Sequence, residues 1–320
     1  MVVTRAAWTA AIASLVVLAA CGSEDPAADT VASSPEPTTT PEAADFPVTV
    51  EAANGEVVVE AQPTQIVSLS ATATETLFAI GAGDHVVAVD DQSDFPAQAP
   101  VTELSGFEPN VEAIAEYQPD LVLASGDGPS ELTGGLERLG VPVIVQSAAT
   151  DLDDAYQQIE AIGTATGHGD EAAALVADMQ DRIAKEVTDL PDGPQLSVFH
   201  ELGPDLYTAS SDTFIGQIYA ELGLANVADE AAEQASTAYP QVSAEYLLSV
   251  DPDLVILADN QCCGVTVEQA AERPGWDALT AVQNGAVVVI DEDIASRWGP
   301  RVPDFVEAVA DAIGTVRGLG

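Results

Sequence analysis

Positive charge is almost absent from this sequence. Among 320 residues, 8 are lysine or arginine and 53 are aspartate or glutamate, a formal net charge of −45. Lys185 is the single lysine. A protein that binds DNA or RNA displaces counterions with a basic surface, so no nucleic-acid partner is expected. An anionic membrane surface would repel the chain as well. The acid excess itself reads as solubility. Histidine is also scarce, with His85, His168 and His200 scattered along the chain. Zinc or manganese capture needs several converging ligands, and no such set is present. Hydrophobic runs long enough to cross a bilayer are missing, because Ala6–Ala20 falls short of the ~20 residues a span requires. No Gly-x-Ser-x-Gly elbow, Walker A loop or dinucleotide glycine fingerprint occurs, so the sequence gives no support for an exported hydrolase and no enzyme is expected.

What is present begins with an address. Arg5 precedes the apolar stretch Ala6–Ala20, as in a secretory signal. Leu18-Ala19-Ala20-Cys21 resembles the lipobox of bacterial lipoproteins, which implies cleavage at Cys21 and its lipidation. An ordinary signal peptide beside a chance cysteine is the alternative. Gly22–Asp45 is rich in Pro, Ser, Thr, Ala and acid, a composition that cannot bury a core and reads as a tether. The expected location is extracytoplasmic, anchored to the cell membrane through Cys21.

The rest alternates strand and helix. "FPVTVEAANGEVVVEA" reads as a hairpin turning at Asn54-Gly55. "QIVSLS" is a buried strand, and "TATETLFAIGAG" a helix with Thr72 as N-cap and Glu75 as its capping-box partner. Strands at 86–90, 120–124 and 141–146 alternate with helices at 111–117 and 130–139. Two consecutive helices follow. The second, Asp170–Leu190, carries an apolar stripe of Ala172, Leu175, Val176, Met179, Ile183 and Val187. Alternation then resumes, with strands at 196–202, 253–258 and 286–290 and a closing helix at 303–316. This pattern means parallel sheets with helices on their faces.

One unit occurs twice. "EAIAEYQPDLVLASG" (Glu112–Gly126) and "EYLLSVDPDLVILAD" (Glu245–Asp259) share the leading Glu, the Pro-Asp turn at 119–120 and 252–253, and the apolar strand after it. "LFAIGAGDHVV" and "IYAELGLANVA" form a weaker pair. The fold class expected is α/β, with two Rossmann-like lobes joined by one long helix. The expected divisions are a signal peptide (1–20), Cys21 and its linker (21–45), an N-terminal lobe (46–168), an inter-lobe helix (169–191) and a C-terminal lobe (192–320).

The Cys21 box, the tether, "QIVSLSATATETLFAIGAGDHVVAVD", "PNVEAIAEYQPDLVLAS" and "GPRVPDFVEAVADAI" together resemble the helical-backbone (class III) substrate-binding proteins of ABC importers, which serve ferric siderophores, haem and cobalamin. The resemblance covers Phe46–Val316. It implies a ligand cleft between the lobes, little closure on binding, cargo in place of a resident cofactor, and one acidic docking residue per lobe for a permease dimer. Glu112 and Glu245 match that pattern. An acid in the first turn of a helix, favourable to the helix dipole, accounts for each equally simply.

In open α/β sheets, ligands bind beyond the carboxyl ends of the strands. The loops expected there are Ala71–Thr74, Asp91–Phe95, Ser105–Asn110 and Ser125–Gly128 in the first lobe. In the second they are His200–Tyr207, Tyr239–Gln241, Asn260–Gly264 and Ser296–Arg301. Phe107 and Tyr239 stand where the resemblance places large aromatics in cobalamin binders. Packing over their own loops is the alternative for Phe95 and Phe107. "SRWGPR" concentrates Arg297, Trp298 and Arg301, and a guanidinium pair suits a carboxylate on a chelate. A salt bridge at the head of the last helix accounts for Arg301 as well. His200 is read as a ligand to haem or cobalt, or as a buried structural histidine. Cys262-Cys263 is read as a vicinal disulfide shaping the cleft, since exported cysteines usually pair.

The expected function is capture of a ferric siderophore or corrinoid for an ABC importer, with haem, or a surface adaptor that has kept the fold, as alternatives. The protein's charge favours a corrinoid or a neutral or cationic hydroxamate siderophore over a polyanionic chelate.

Overall fold

A hairpin leads into the first lobe of the computed structural model, which describes residues 46–128 and 130–318. The signal segment 1–20, Cys21 and the tether 22–45 lie outside the described residues. Strands β1 (Val48–Ala52) and β2 (Gly55–Val59) pair antiparallel with Ala52 opposite Gly55. The turn therefore falls on Ala53-Asn54, one residue earlier than expected. Asn54 supplies the reason. Its side-chain amide donates to the Val143 carbonyl at 2.9 Å and its oxygen accepts from the Val145 N–H at 3.0 Å, so the turn is fixed by what it docks on.

The first sheet contains β3 (Ile66–Leu69), β4 (Val86–Val89), β5 (Leu121–Ser125) and β6 (Val143–Gln146), all parallel, in the order β4-β3-β5-β6. Its strands are continuous apolar runs because both faces are covered. Leu121 and Leu123 enter one core, and Val122 and Ala124 enter the other. Helices α1 (Ala71–Ala79) and α4 (Leu152–Thr166) serve the first core, and α2 (Val111–Ala115) and α3 (Glu131–Glu137) the second.

Helix α5 (Gly169–Asp189) joins the lobes. Its 21 residues span roughly 30 Å at the helical rise. Ala172, Val176, Met179 and Ile183 form its buried stripe, while Leu175 and Val187 are half-buried. It packs along α4 on one side and along the last helix, Val302–Val316, on the other.

The second lobe repeats the first. Strands β7 (Ser197–Glu201), β8 (Ala225–Asn226), β9 (Leu254–Leu257) and β10 (Val287–Val289) form a parallel sheet ordered β8-β7-β9-β10. Taken in chain order, each strand occupies the place of its counterpart in the first sheet. The helices are α6 (Phe214–Glu221), α7 (Asp229–Ala235), α8 (Ala244–Val250), α9 (Asn260–Cys263), α10 (Val267–Ala271), α11 (Thr280–Gln283), α12 (Glu292–Ser296) and α13 (Val302–Val316). The echo in the sequence is thus α2-β5 repeated as α8-β9. Asn110 caps α2 and Ser243 caps α8, each accepting from a backbone N–H three residues on. No helix among the described residues is long and apolar enough to cross a membrane.

Candidate ligand cleft

The carboxyl ends of the two sheets meet through charge. Helix α1 starts at Ser70, whose hydroxyl accepts from the Ala73 N–H. This corrects the expected cap at Thr72, which lies inside the helix, and with it the placing of Ala71–Thr74 in a loop. The shift frees Glu75 from any capping role, and its side chain is only 1% exposed. A carboxylate so buried requires a cation. Arg301 supplies one with a fork, Nε to Oε2 at 2.8 Å and Nη2 to Oε1 at 2.6 Å. Arg297 adds a bond from Nη1 to Oε1 at 2.9 Å.

Arg297 also reaches Asp94 at 3.2 Å, the Gln92 carbonyl at 3.0 Å and Asp293 at 2.6 Å. The Arg301 guanidinium lies over the Phe95 ring, 4.3 Å from its centroid. Its hydrogen bond to Glu75 holds its proton more tightly than usual. The Trp298 indole N–H donates to Gln158 Oε1 of α4 at 3.0 Å. Both arginines and the tryptophan of "SRWGPR" are therefore bonded to the first lobe.

Around this junction stand exposed aromatics. Phe95, Phe107, Tyr207 and Tyr239 are 45%, 85%, 48% and 50% exposed. All four lie in loops beyond the carboxyl ends of the strands, two on each lobe. Gly106 lets the Phe107 loop close over the sheet, because a Cβ there would stand 2.9 Å from the Leu69 carbonyl oxygen and 2.5 Å from Asp90 Oδ2. Asp90 is buried beneath, and desolvation pushes its pKa up.

A second ionic group lies at the ends of β7 and β9. Glu201, fully buried, takes both arms of Arg273 at 2.6 and 2.7 Å, and Arg273 stacks 4.5 Å from the centroid of the Trp276 ring. Asp259 is also fully buried. It precedes α9 without capping it, and both its carboxylate oxygens lack partners. Burial, with the Glu201 charge beside it, raises its pKa to about 7.

His200 is not at the cleft surface, which corrects its placing there. It is fully buried within β7. Nδ1 sits 2.5 Å from the Tyr219 hydroxyl, and Phe305 meets the ring edge-on at 6.4 Å. The imidazole points into the lobe core, where burial lowers its pKa to about 3 and keeps it neutral. His85 and His168 occupy a 3₁₀ turn and the N-cap of α5. Cys262 and Cys263 are bonded to one another in α9, and both are exposed. Elsewhere, a groove of about 1080 Å³ between α2 and α3 is bordered by Glu112, Glu116, Glu131 and Arg138. Its lining comes from α2, α3 and the residues flanking them, all in the first lobe. Glu112 and Glu245 are exposed, and neither forms an ion pair among the described residues.

The sequence pattern of the periplasmic binding protein family matches residues 66–294. The chain belongs to that family. It is 32% identical over 319 residues, 96% of each chain, to YvrC of Bacillus subtilis (strain 168), named as an uncharacterised ABC transporter substrate-binding lipoprotein. A cobalamin-binding protein of Halobacterium salinarum (strain ATCC 29341 / DSM 671 / R1) is 31% identical over 259 residues, covering 78% of this chain and 69% of that one. Among solved structures, a possible iron-binding (periplasmic solute-binding) protein from Staphylococcus epidermidis ATCC 12228 aligns with a TM-score of 0.68. It is 27% identical, covering 79% of this chain and 99% of that one.

Within this periplasmic binding protein, the residues singled out from sequence separate into three groups. Arg297, Trp298 and Arg301 come together and face the first lobe. Phe107 and Tyr239 stand free on the rims of different lobes. His200 lies inside. Glu75, Glu201, Asp259 and Arg273 were missed. Their signal was legible in part: an acid on the otherwise buried face of "TATETLFAIG", and acids closing the apolar strands "SVFHE" and "LVILAD". Each demands a cation or a proton once buried.

Proposed function

We propose that this binding protein captures a neutral or cationic metal chelate between its lobes, a corrinoid in the first place, and delivers it to an ABC importer permease. One observation carries the choice of ligand. The two arginines of the rim are already neutralised by Glu75, Asp94 and Asp293, so neither is left to pair with an anionic chelate. The acids around them would oppose haem propionates or a ferric catecholate. Four exposed aromatic side chains offer instead the apolar contact that a corrin ring or a hydroxamate siderophore takes. The absence of a histidine from the rim, among the described residues, argues further against haem. The likeness to a cobalamin-binding protein supports the corrinoid over the siderophore.

Delivery rests on Glu112 and Glu245. They occupy the same position in the two copies of the repeated unit, and both are exposed and unpaired among the described residues. Each is available to a permease arginine, and the groove beside Glu112 leaves room for the segment that carries it. Cys21, lipidated, would hold the chain at the membrane outside the cytoplasm.

The test is equilibrium binding of cyanocobalamin, haemin, a ferric hydroxamate and a ferric catecholate to the chain from Phe46 onward. Trp298 fluorescence is one readout, with Trp276, buried against Arg273, as the internal background. Sub-micromolar binding of cyanocobalamin alone is the expected result. Preference for haemin or the catecholate would overturn the charge argument.

A further inference from the structure

We propose that the Cys262–Cys263 disulfide is a rigid apolar plate in the wall of the cleft, so that capture of a ring-shaped chelate depends on the oxidation state of the protein. The choice of a corrinoid as probe rests on the reading above; the structural part of the inference does not.

The placement of the plate argues for it. Helix α9 follows β9 directly, at the carboxyl edge of the second sheet, where the other rim loops lie. Cysteine is among the residues most often buried, yet both members of this pair are exposed. Neither helps to fill a core, and no stretch of chain is closed into a loop by a bond between neighbours. A stabilising staple would do both. What the bond does is hold two sulfurs still at the surface.

The turn is closed by its own backbone bonds and anchored on α12. Within the turn, the Cys263 N–H donates to the Asp259 carbonyl at 3.2 Å and the Gly264 N–H to the Asn260 carbonyl at 2.9 Å. From the side, the Cys262 N–H donates to the Glu292 carboxylate at 3.0 Å, and the Gln261 amide to Asp291 at 3.1 Å. Asp291 and Glu292 begin α12, which leads straight into Arg297 and its bonds to the first lobe. The plate is therefore tied to the segment that bridges the lobes.

Chemistry supplies the switch. A disulfide has no proton to donate, and soft sulfur packs well against conjugated rings. A dithiol can transfer two electrons and two protons to it. The S–S bond then breaks, two thiols form, and the dithiol closes to its own disulfide. The thiols rotate independently and carry weak S–H donors, so the surface loses its rigidity and the fixed flat face the bridge gave it. Exposed bridges are the ones such exchange reaches, and an oxidising location outside the cytoplasm keeps the bond closed.

The experiment uses the purified full chain in three forms: oxidised, reduced with dithiothreitol and desalted anaerobically, and Cys262→Ser/Cys263→Ser. Binding of cyanocobalamin is measured by equilibrium dialysis. Amide hydrogen exchange is followed at residues 259–264 and 291–301 without ligand. Reduction and the double substitution are each expected to weaken binding by about tenfold or more, and reoxidation to restore it in the wild type alone. Equal affinity of all three forms overturns the proposal while leaving the corrinoid reading intact. If the oxidised chain binds no cyanocobalamin, the corrinoid reading fails and exchange decides the structural part. Faster exchange in both segments on reduction upholds it, and unchanged exchange overturns it.

Discussion

Glu75 commits both carboxylate oxygens to arginines 222 and 226 residues downstream. Removing the charge leaves Arg297 and Arg301 without their shared partner, at side-chain exposures of 12% and 16%. Breaking a buried ion pair on one side typically costs about 3–5 kcal/mol, and Glu75→Gln is expected to lose that much in urea unfolding. A loss below about 1 kcal/mol is what a solvated surface pair gives, and would show that the cluster does not hold the lobes. Asp259 carries a pH prediction. Its folded-state pKa of about 7 lies above the ordinary 3.8, so the folded chain keeps a proton that the unfolded chain releases. Its contribution to stability is complete below about pH 4 and is lost as pH rises to about 7. His200 works the other way. Its pKa falls from 6.5 to about 3, so its contribution is complete above about pH 6.5 and is lost as pH drops. Between about pH 4 and 6.5 the two oppose each other. Asp259→Asn is therefore expected to steepen the fall in melting temperature on acidification below pH 6.5 without destabilising the chain at pH 8. An acid slope equal to that of the wild type would show that Asp259 is ionised in the folded chain.

The repeated helix-strand unit was legible because its signals are local. Apolar runs of strand length, a Pro-Asp turn and a capped helix all fall within about fifteen residues, the range that periodicity and capping rules cover. The structure adds what the aspartate does. Asp120 accepts from the backbone N–H groups of Thr64 and Gln65 and from the Thr64 hydroxyl. Asp253 accepts from the backbone N–H and hydroxyl of Ser197. Each aspartate thus fixes the register between its own strand and the one beside it, β5 with β3 and β9 with β7. Asp253→Ala is expected to cost about 1.5–3 kcal/mol, the range for hydrogen bonds to a charged group, with Asp120→Ala costing less because Asp120 is solvent-exposed. Midpoints of urea unfolding for the two variants check the order. What local rules missed has the opposite character. The Thr72 cap and the Asn54-Gly55 turn were each misplaced by one or two residues, because partners on distant strands and helices decided between neighbouring options. The Glu75 junction and the Glu201–Arg273 pair span long stretches of chain, beyond the reach of any windowed rule. The aromatic rim was legible as loops that end strands, whereas the commitment of both arginines was not.

At the scale of the whole molecule, two like lobes carry two like acids at the surface. A permease docking on both lobes, as proposed, would sense their spacing through Glu112 and Glu245, with α5 joining the two lobes. The formal charge of −45 draws the chain toward a cationic partner from a distance, but distributed charge acts mainly on encounter rate and is screened by salt. Two specific contacts at the proposed docked interface would act on lifetime instead. These contributions separate experimentally. Glu112→Arg with Glu245→Arg changes the formal charge by only about a tenth, so steering is largely kept, while both contacts become repulsive. The double variant is expected to bind cyanocobalamin with unchanged affinity and to lose at least about tenfold in uptake when it replaces the wild type in cells that depend on it, a loss of about 1.4 kcal/mol in productive docking. Each single variant should fall between. Uptake undiminished in the double variant would remove both acids from the docking surface and leave them as favourable charges at two helix N-termini. A loss of ligand affinity in the same variant would place the damage in the fold rather than at the permease.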